Sequence, residues 1–461
     1  MTDGSPPFPQ PEDSHAPIHR RRAWPHRLAP RKRWPVIGRA ARSPRAARTP
    51  AGLVALALAS FALGLAEFVI AGLLPSVSRD LSVSGGTAGL LVTTYAIGVI
   101  VGALVVTTAL SRIRPKTALI GLVAVFAGAN LLCALGPDFE IVLIARVIAG
   151  TAHGAYFGIG VVVAVSLVEE SRQGRAIAVM LTGLTLANVL GVPLGTLVGQ
   201  HFGWRVTFGV IVALAVAAML AIIVLVPQVA PAPTRSLADL RQLLNRQALL
   251  SMAVATLGFG GMFGIFTYLA FTLTRVTGYA SSTVPWLLLL FGVGLVIGNA
   301  LGGRLADRAL DATLAAALLG LLIVQVAFGL VASSKIGAAV AIFLMGMFGF
   351  AAAPGYQRRV MRSAVAAGAI ASGAPVAAVN LGNALGSWIS GFAISDGLGY
   401  VSPIWIGAVA TALALILLAV AAWSLRAAPA MMPEVAKPPG PPAAARHDQG
   451  NSHDRPAARH G

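Results

Sequence analysis

Between residues 51 and 425 long apolar runs alternate with short polar breaks. Each run has about the 20 residues or more that a helix needs to cross a bilayer. Each run therefore predicts a membrane-spanning helix. There are twelve: 51–75, 87–110, 116–136, 139–167, 175–200, 204–226, 248–273, 284–303, 313–332, 336–356, 367–395 and 401–425. The longest break, 227–247, carries Pro, Arg and Gln and separates six runs from six. The fold class predicted is an all-α polytopic membrane protein of twelve transmembrane helices in two six-helix halves, 51–226 and 248–425, joined by a cytoplasmic linker at 227–247.

The flanks read differently. Residues 1–50 hold ten prolines and eleven Lys+Arg without apolar periodicity, which predicts a disordered basic tail. No apolar h-region follows those charges before residue 51, so no cleaved signal peptide is expected. Residues 426–461 form a second polar tail rich in Pro and Ala.

Composition excludes a soluble protein. Hydrophobic residues make up 57%, charged residues 11%, and mean hydropathy is +0.80. A soluble domain runs at about 25% charged. The one cysteine, Cys133, excludes an intrachain disulfide and the usual Cys/His metal spacings.

The net charge of +18 would suggest nucleic acid in a soluble chain. Here its distribution matters more. With both tails placed in the cytoplasm, the inner segments hold 29 Lys+Arg and 11 Asp+Glu. The outer segments hold Arg79, Arg205, Arg275 and Lys335 against Asp80, Asp138, Glu140 and Asp396. The whole excess falls on one side (29 − 11 = 18), as the positive-inside rule requires. The basic character thus reports topology and contact with anionic lipid. No folded nucleic-acid reader accompanies it, so nucleic acid is not an expected partner.

The halves repeat. An offset of 196 residues carries Gly98 to Gly294, Gly102 to Gly298 and Gly150 to Gly346, and Thr107-x-x-x-Ser111-Arg112 onto Gly303-x-x-x-Asp307-Arg308. Two similar six-helix bundles in parallel orientation are an architecture of secondary transporters.

Ionisable side chains within spans are costly and mark function by default. Three occur: Glu67, Arg146 and His153. Glu67 shares a helical face with Ser60, Gly64, Ala71 and Pro75, a stripe of small or polar residues that can line a cavity. A carboxyl there can exchange a proton; the plain alternative is a structural hydrogen bond between helices. Arg146, Gly150 and His153 are spaced i, i+4, i+7 on one face. Arg146 can tune a carboxyl or bind an anionic group, or it can form a fixed ion pair. His153 suits proton traffic, or is a satisfied structural histidine. At the 196 offset these three map to Phe263, Ile342 and Gly349, so proton chemistry is expected in the first half alone.

On the fifth run Asn188, Gly191, Gly195 and Gly199 share a face that Pro193 interrupts. Gly191 and Gly195 are one turn apart and are expected to face a span of the other half near the eleventh. On the eleventh run Asn380 and Asn383 share a face with Ser387 and Gly391, able to bind a polar substrate or each other. Tyr268 is the aromatic expected beside these amides as a substrate contact.

These residues resemble the major facilitator superfamily, in particular its twelve-span drug:proton antiporters, over residues 51–425. The superfamily's loop motif G-x-L-a-D-r-x-G-r-k is matched in its second copy by Gly303-Arg304-Leu305-Ala306-Asp307-Arg308. The first copy, Thr107 to Lys116, departs from it, with Ser111 in place of the acid and Arg114 in place of the second glycine. The resemblance therefore implies gating charges at Asp307 and Arg308. Arg146 and Gly150 match its R-x-x-x-G motif, whose arginine is linked to proton transfer. LANVLGVPLGT is similar to the exporter signature g-x-x-x-G-P-x-x-G-G, with Val192 as an extra residue. Together with AEFVIAGLLP, HGAYFGIG and NLGNALG it looks like the arabinose-efflux-permease branch, which also includes sugar, purine-nucleoside and chloramphenicol exporters.

The leading expectation is a proton-coupled exporter of a small polar or amphipathic solute in a bacterial inner membrane, working as a monomer by alternating access. Its partners are the solute, protons and membrane lipid. No cofactor or metal is expected. An uptake symporter or facilitator of the same fold is the alternative; a membrane enzyme or sensor is the distant one. No span carries paired carboxylates, a Cys/His set or a nucleophile–base pair, and no P-loop is present, so transport must draw on a gradient.

Overall fold

The computed structural model describes residues 49–230, 245–363 and 373–427. Most of the two tails and of the linker lies outside the described residues, as does the expected start of the eleventh run.

Helices α1 (Thr49–Asp80), α2 (Gly85–Arg112), α3 (Pro115–Leu135), α4 (Phe139–Ser166), α5 (Glu170–Phe202) and α6 (Trp204–Leu225) make the first half. The second half consists of α7 (Arg246–Val276), α8 (Ser281–Arg308), α9 (Leu310–Val331), α10 (Lys335–Ser363), α11 (Ala374–Ser395) and α12 (Ser402–Ala427). Among the described residues there is no strand. Eleven of the helices are long and apolar enough to cross a membrane. The other is α11, whose described part, Ala374–Ser395, begins inside the expected eleventh run and includes Asn380, Asn383, Ser387 and Ser390. The twelve-helix, all-α expectation holds.

Local chemistry sets the helix ends. Side chains of Ser84, Asp138 and Asn245 accept from backbone N–H groups in the first turns of α2, α4 and α7, at 3.0, 2.9 and 2.8 Å. Gly203, at φ 92°, allows the sharp turn from α5 to α6. One boundary differs from expectation in a telling way. Helix α10 continues past residue 356 to Ser363, so Arg358, Arg359 and Arg362 are helical, not in a loop. The extension is held by ion pairs of Arg358 with Asp307 and Arg359 with Asp311.

The duplication is visible in the packing. A Cβ on Gly98 would collide with the Val147 carbonyl of α4, and one on Gly294 with the Phe343 carbonyl of α10, residues again 196 apart. Gly102 and Gly298 press in the same way on Thr151 and Met347, and Gly150 and Gly346 on Tyr95 and Phe291. Small residues at these positions let the helix backbones touch.

Two hydrophobic clusters fill the interior. One comprises residues of α1–α6 together with Tyr268 and Phe271; the other comprises residues of α7–α12 together with Phe68, Ala71 and Val192. The halves meet through α1 against α7, α2 against α11, and α5 against α8. Contacts at the end opposite the chain termini include Gln200 donating to the Ser281 carbonyl at 2.8 Å and Tyr268 reaching the Gly86 carbonyl at 3.3 Å.

Candidate functional site

Helices α1 and α2 form one wall of a small cavity between the halves, and α7 and α11 form the other. Glu67, Phe68 and Ala71 come from α1, and Val92, Tyr95 and Ala96 from α2. Opposite stand Phe263, Phe266 and Thr267 of α7 and Asn383 of α11. The cavity has about 10 Å³ open to the centre of a water-sized sphere, room for about one water. Glu67 and Phe263 occupy equivalent places in the two halves, so the same helical position supplies an acid on one side and an aromatic ring on the other.

Behind the first wall lies a buried polar chain. Glu67 Oε2 is 3.7 Å from His153 Nε2. The other ring nitrogen, His153 Nδ1, is 2.8 Å from the Tyr95 hydroxyl. The Tyr95 ring lies over the Arg146 guanidinium at 4.0 Å. Arg146 is fully buried and donates through Nε to the Leu91 carbonyl at 3.0 Å and through Nη1 to the Ala66 carbonyl at 2.8 Å. Its Nη2 has no hydrogen-bond partner. Backbone carbonyls and an aromatic face thus hold this cation, with no carboxylate within ion-pair distance among the described residues. The fork suits the task, because one planar group reaches two helices at once. Burial of a charge is tolerated only with such partners. The whole arrangement sets a carboxyl on the cavity wall with a buried guanidinium behind it.

The stripe on α1 divides by function. Ser60 returns its hydroxyl to the Leu56 carbonyl at 3.0 Å, and Gly64 abuts Leu184 and Ala187 of α5. Only the Glu67–Ala71 part reaches the cavity.

Other anticipated residues stand elsewhere. Asn188 donates to the Leu184 carbonyl at 3.1 Å and Asn380 to the Val376 carbonyl at 3.0 Å; neither lines the cavity. Tyr268, anticipated as a substrate contact, is not on either wall. Its hydroxyl lies 3.0 Å from the Ser387 carbonyl of α11 and 3.3 Å from the Gly86 carbonyl of α2. The ring is long enough to cross from α7 to the start of α2, and that crossing takes the hydroxyl away from the cavity.

The fifth-helix glycines need a correction. They face α1 of their own half, not a span of the other half: a Cβ on Gly191 would lie 3.3 Å from the Phe61 ring, and one on Gly195 2.8 Å from Val69. The reason is a π turn at Ala187–Gly191, directly before Val192 and Pro193. A π turn absorbs one additional residue in a helix, which is how Val192 is accommodated and the glycines stay turned toward α1. Beside these glycines, contact with α8 is made by the backbone of Asn188 and Val189, which lies against Gly292.

Asp307 pairs with Arg358, whereas Arg308 makes no ion pair among the described residues. The charge network joins α8, α9 and α10 within the second half. In the first half the matching corner has no ion pair among the described residues, and Lys116 donates to the Ile223 carbonyl at 2.7 Å.

Residue patterns did not single out Tyr95, nor Phe68, Phe266 and Thr267 of the cavity lining. A signal existed: Leu91, Tyr95, Gly98 and Gly102 fall on one face of α2, with a lone hydroxyl among small and apolar neighbours.

Comparison with known proteins shows the family. The Major Facilitator Superfamily profile matches residues 56–374. The chain is 41% identical to the inner membrane transport protein YdhP of Escherichia coli O157:H7, over 79% of this chain and 94% of that one. It is 33% identical to a chloramphenicol resistance protein of Streptomyces lividans, over 80% and 95% of the two chains. Among solved structures, a bacterial homolog of the human lysosomal transporter Spinster, in an inward-facing and unoccupied conformation, superposes with a TM-score of 0.63 at 17% identity. That match covers 83% of this chain and 96% of the other. With most of its length matched by the family and by relatives above 30% identity, the chain belongs to the Major Facilitator Superfamily of membrane transporters.

Proposed function

We propose that the protein is a proton-coupled exporter of a small polar or amphipathic solute, cycling by alternating access between its two six-helix halves. It sits in a bacterial inner membrane with both termini cytoplasmic, acts as a monomer and works without a cofactor. The observation that carries this reading is Glu67: an acid on the cavity wall, 3.7 Å from His153 and in line with Tyr95 and Arg146. Such a carboxyl can take a proton from one side and release it to the other as access alternates. The charge asymmetry of the loops supports the orientation. Similarity to a chloramphenicol resistance protein supports the choice of an amphipathic drug as a candidate solute.

The test is transport of labelled chloramphenicol in inside-out vesicles with an imposed pH gradient. Wild-type protein is expected to accumulate the label, and Glu67→Gln to lose gradient-driven accumulation while remaining inserted and monodisperse. Full gradient-driven transport by Glu67→Gln overturns the coupling. Movement of label with the proton gradient, out of such vesicles, identifies an uptake symporter instead.

A further inference from the structure

The second wall of the cavity has a chemistry of its own. Asn383 is 2% exposed, and its Oδ1 has no hydrogen-bond partner. A buried, unpaired amide oxygen is costly unless something donates to it. On the same helix Ser387 Oγ lies 2.7 Å from Thr267 Oγ1, while Asn380 Oδ1 and Ser390 Oγ are also without a partner; of these α11 residues Asn383 is the one that lines the cavity. Beside Asn383 stand Phe263 and Phe266. Phe263 stacks on Phe259 at 4.4 Å and lies 5.5 Å from Phe68; Phe266 lies 4.8 Å from Phe291. Together these rings make an aromatic floor next to one unsatisfied acceptor. No Lys, Arg or His lines the cavity, because Arg146 and His153 stand behind the wall. An anion entering would meet a carboxyl and no cation.

We infer that the α7–α11 wall is a subsite for a neutral, flat aromatic ligand bearing an O–H or N–H donor, the ring packing on Phe263 and Phe266 and the donor going to Asn383 Oδ1. This rests on reading the cavity as the transport site and narrows its solutes to aryl alcohols, amides and amines in their uncharged form. The two walls belong to different halves, so parting the halves opens the subsite without dismantling either wall. Asn383 is here a specificity-determining residue: it selects the donor and leaves the ring to the phenylalanines.

The test uses one ring system with three substituents, titrated at equilibrium against the protein in lipid nanodiscs with empty discs subtracted. The probes are 2-naphthol, its methyl ether and 2-naphthoate. Wild-type protein is expected to bind 2-naphthol about tenfold or more tightly than the methyl ether, which cannot donate, since an unsatisfied buried acceptor carries a penalty of that order. 2-Naphthoate is expected not to bind at neutral pH. In Asn383→Leu, of similar volume, the two neutral probes should bind alike. The subsite is refuted if wild-type protein binds naphthol and ether equally, binds neither, or binds naphthoate as well as naphthol. It is also refuted if Asn383→Leu keeps the preference. No gradient is applied, so a failure here leaves the Glu67 coupling result standing, and full transport by Glu67→Gln leaves this result standing.

Discussion

Gly89→Ala is expected to open the end of the bundle opposite the termini. Gly89 has ordinary right-handed helical angles, φ −60° and ψ −21°, so alanine brings no backbone strain. Its methyl group, however, would overlap the Tyr268 hydroxyl and lie 2.5 Å from Cζ and 2.9 Å from Cε1 of the same ring. Tyr268 cannot retreat freely, because its hydroxyl is held near Gly86 and Ser387 and Gly391 closes its other flank. Overpacking of this kind costs about 1–3 kcal/mol. The cost falls only on the conformation in which α7 reaches α2, so it shifts the conformational equilibrium by about 5- to 150-fold. The assay is the rate of maleimide labelling of Ala96→Cys, a cavity position, from the face opposite the termini. The native Cys133 is buried and contributes little background. Labelling should accelerate in Gly89→Ala. Tyr268→Ala should accelerate it too, and the double variant should be no faster than Tyr268→Ala alone, since both act through one contact. Unchanged labelling in Gly89→Ala, or additive effects in the double variant, would refute the argument.

Three further outcomes follow from the geometry. Arg146→Lys keeps the charge but cannot span the Leu91 and Ala66 carbonyls, and with a charged hydrogen bond worth about 1.5–3 kcal/mol, transport should fall about tenfold or more; a wild-type rate would make the fork irrelevant. Gly195→Val meets Val69 and Leu65 of α1 and Thr207 of α6, all in its own half, so it should lower Tm by the equivalent of about 1–3 kcal/mol without changing Ala96→Cys accessibility; the opposite pattern would return these glycines to a gating role. Asp307→Asn removes an exposed ion pair with Arg358, and such pairs contribute about 0–1 kcal/mol, so Tm should barely move, whereas Arg359→Ala, at a buried arginine, should lower it clearly.

The helices and the duplication were legible because lipid imposes a crude and repeated demand, about 20 apolar residues per crossing, and because glycine contacts such as Gly98 on Val147 survive in both halves. Glu67, Arg146 and His153 were legible because charge is rare in such a background. What periodicity could not supply was the neighbour across each face. Gly191 and Gly195 looked suited to an interface between the halves, but the π turn at Ala187–Gly191 absorbs one residue and keeps them toward α1. Tyr268, expected at the cavity, reaches past it to Gly86, while Tyr95, not singled out in the sequence, lines it, for the same reason: a tyrosine hydroxyl sits several ångströms from its own backbone, so its partner is set by packing. Asn380 and Asn383 are chemically alike and one turn apart, yet only Asn383 lines the cavity.

The polar face of α11 bears on how the second half holds together. Asn380, Asn383, Ser387 and Ser390 share that face among the described residues. Much of it is met by α7: Thr256 donates to the Ala378 carbonyl at 2.9 Å, Thr267 meets Ser387, and the backbones approach at Gly260, Gly382 and Gly386. Hydrocarbon offers these groups no competing partner. The two helices that share one cavity wall are therefore fastened to each other as a single plank, by hydrogen bonds and by bare backbone contact.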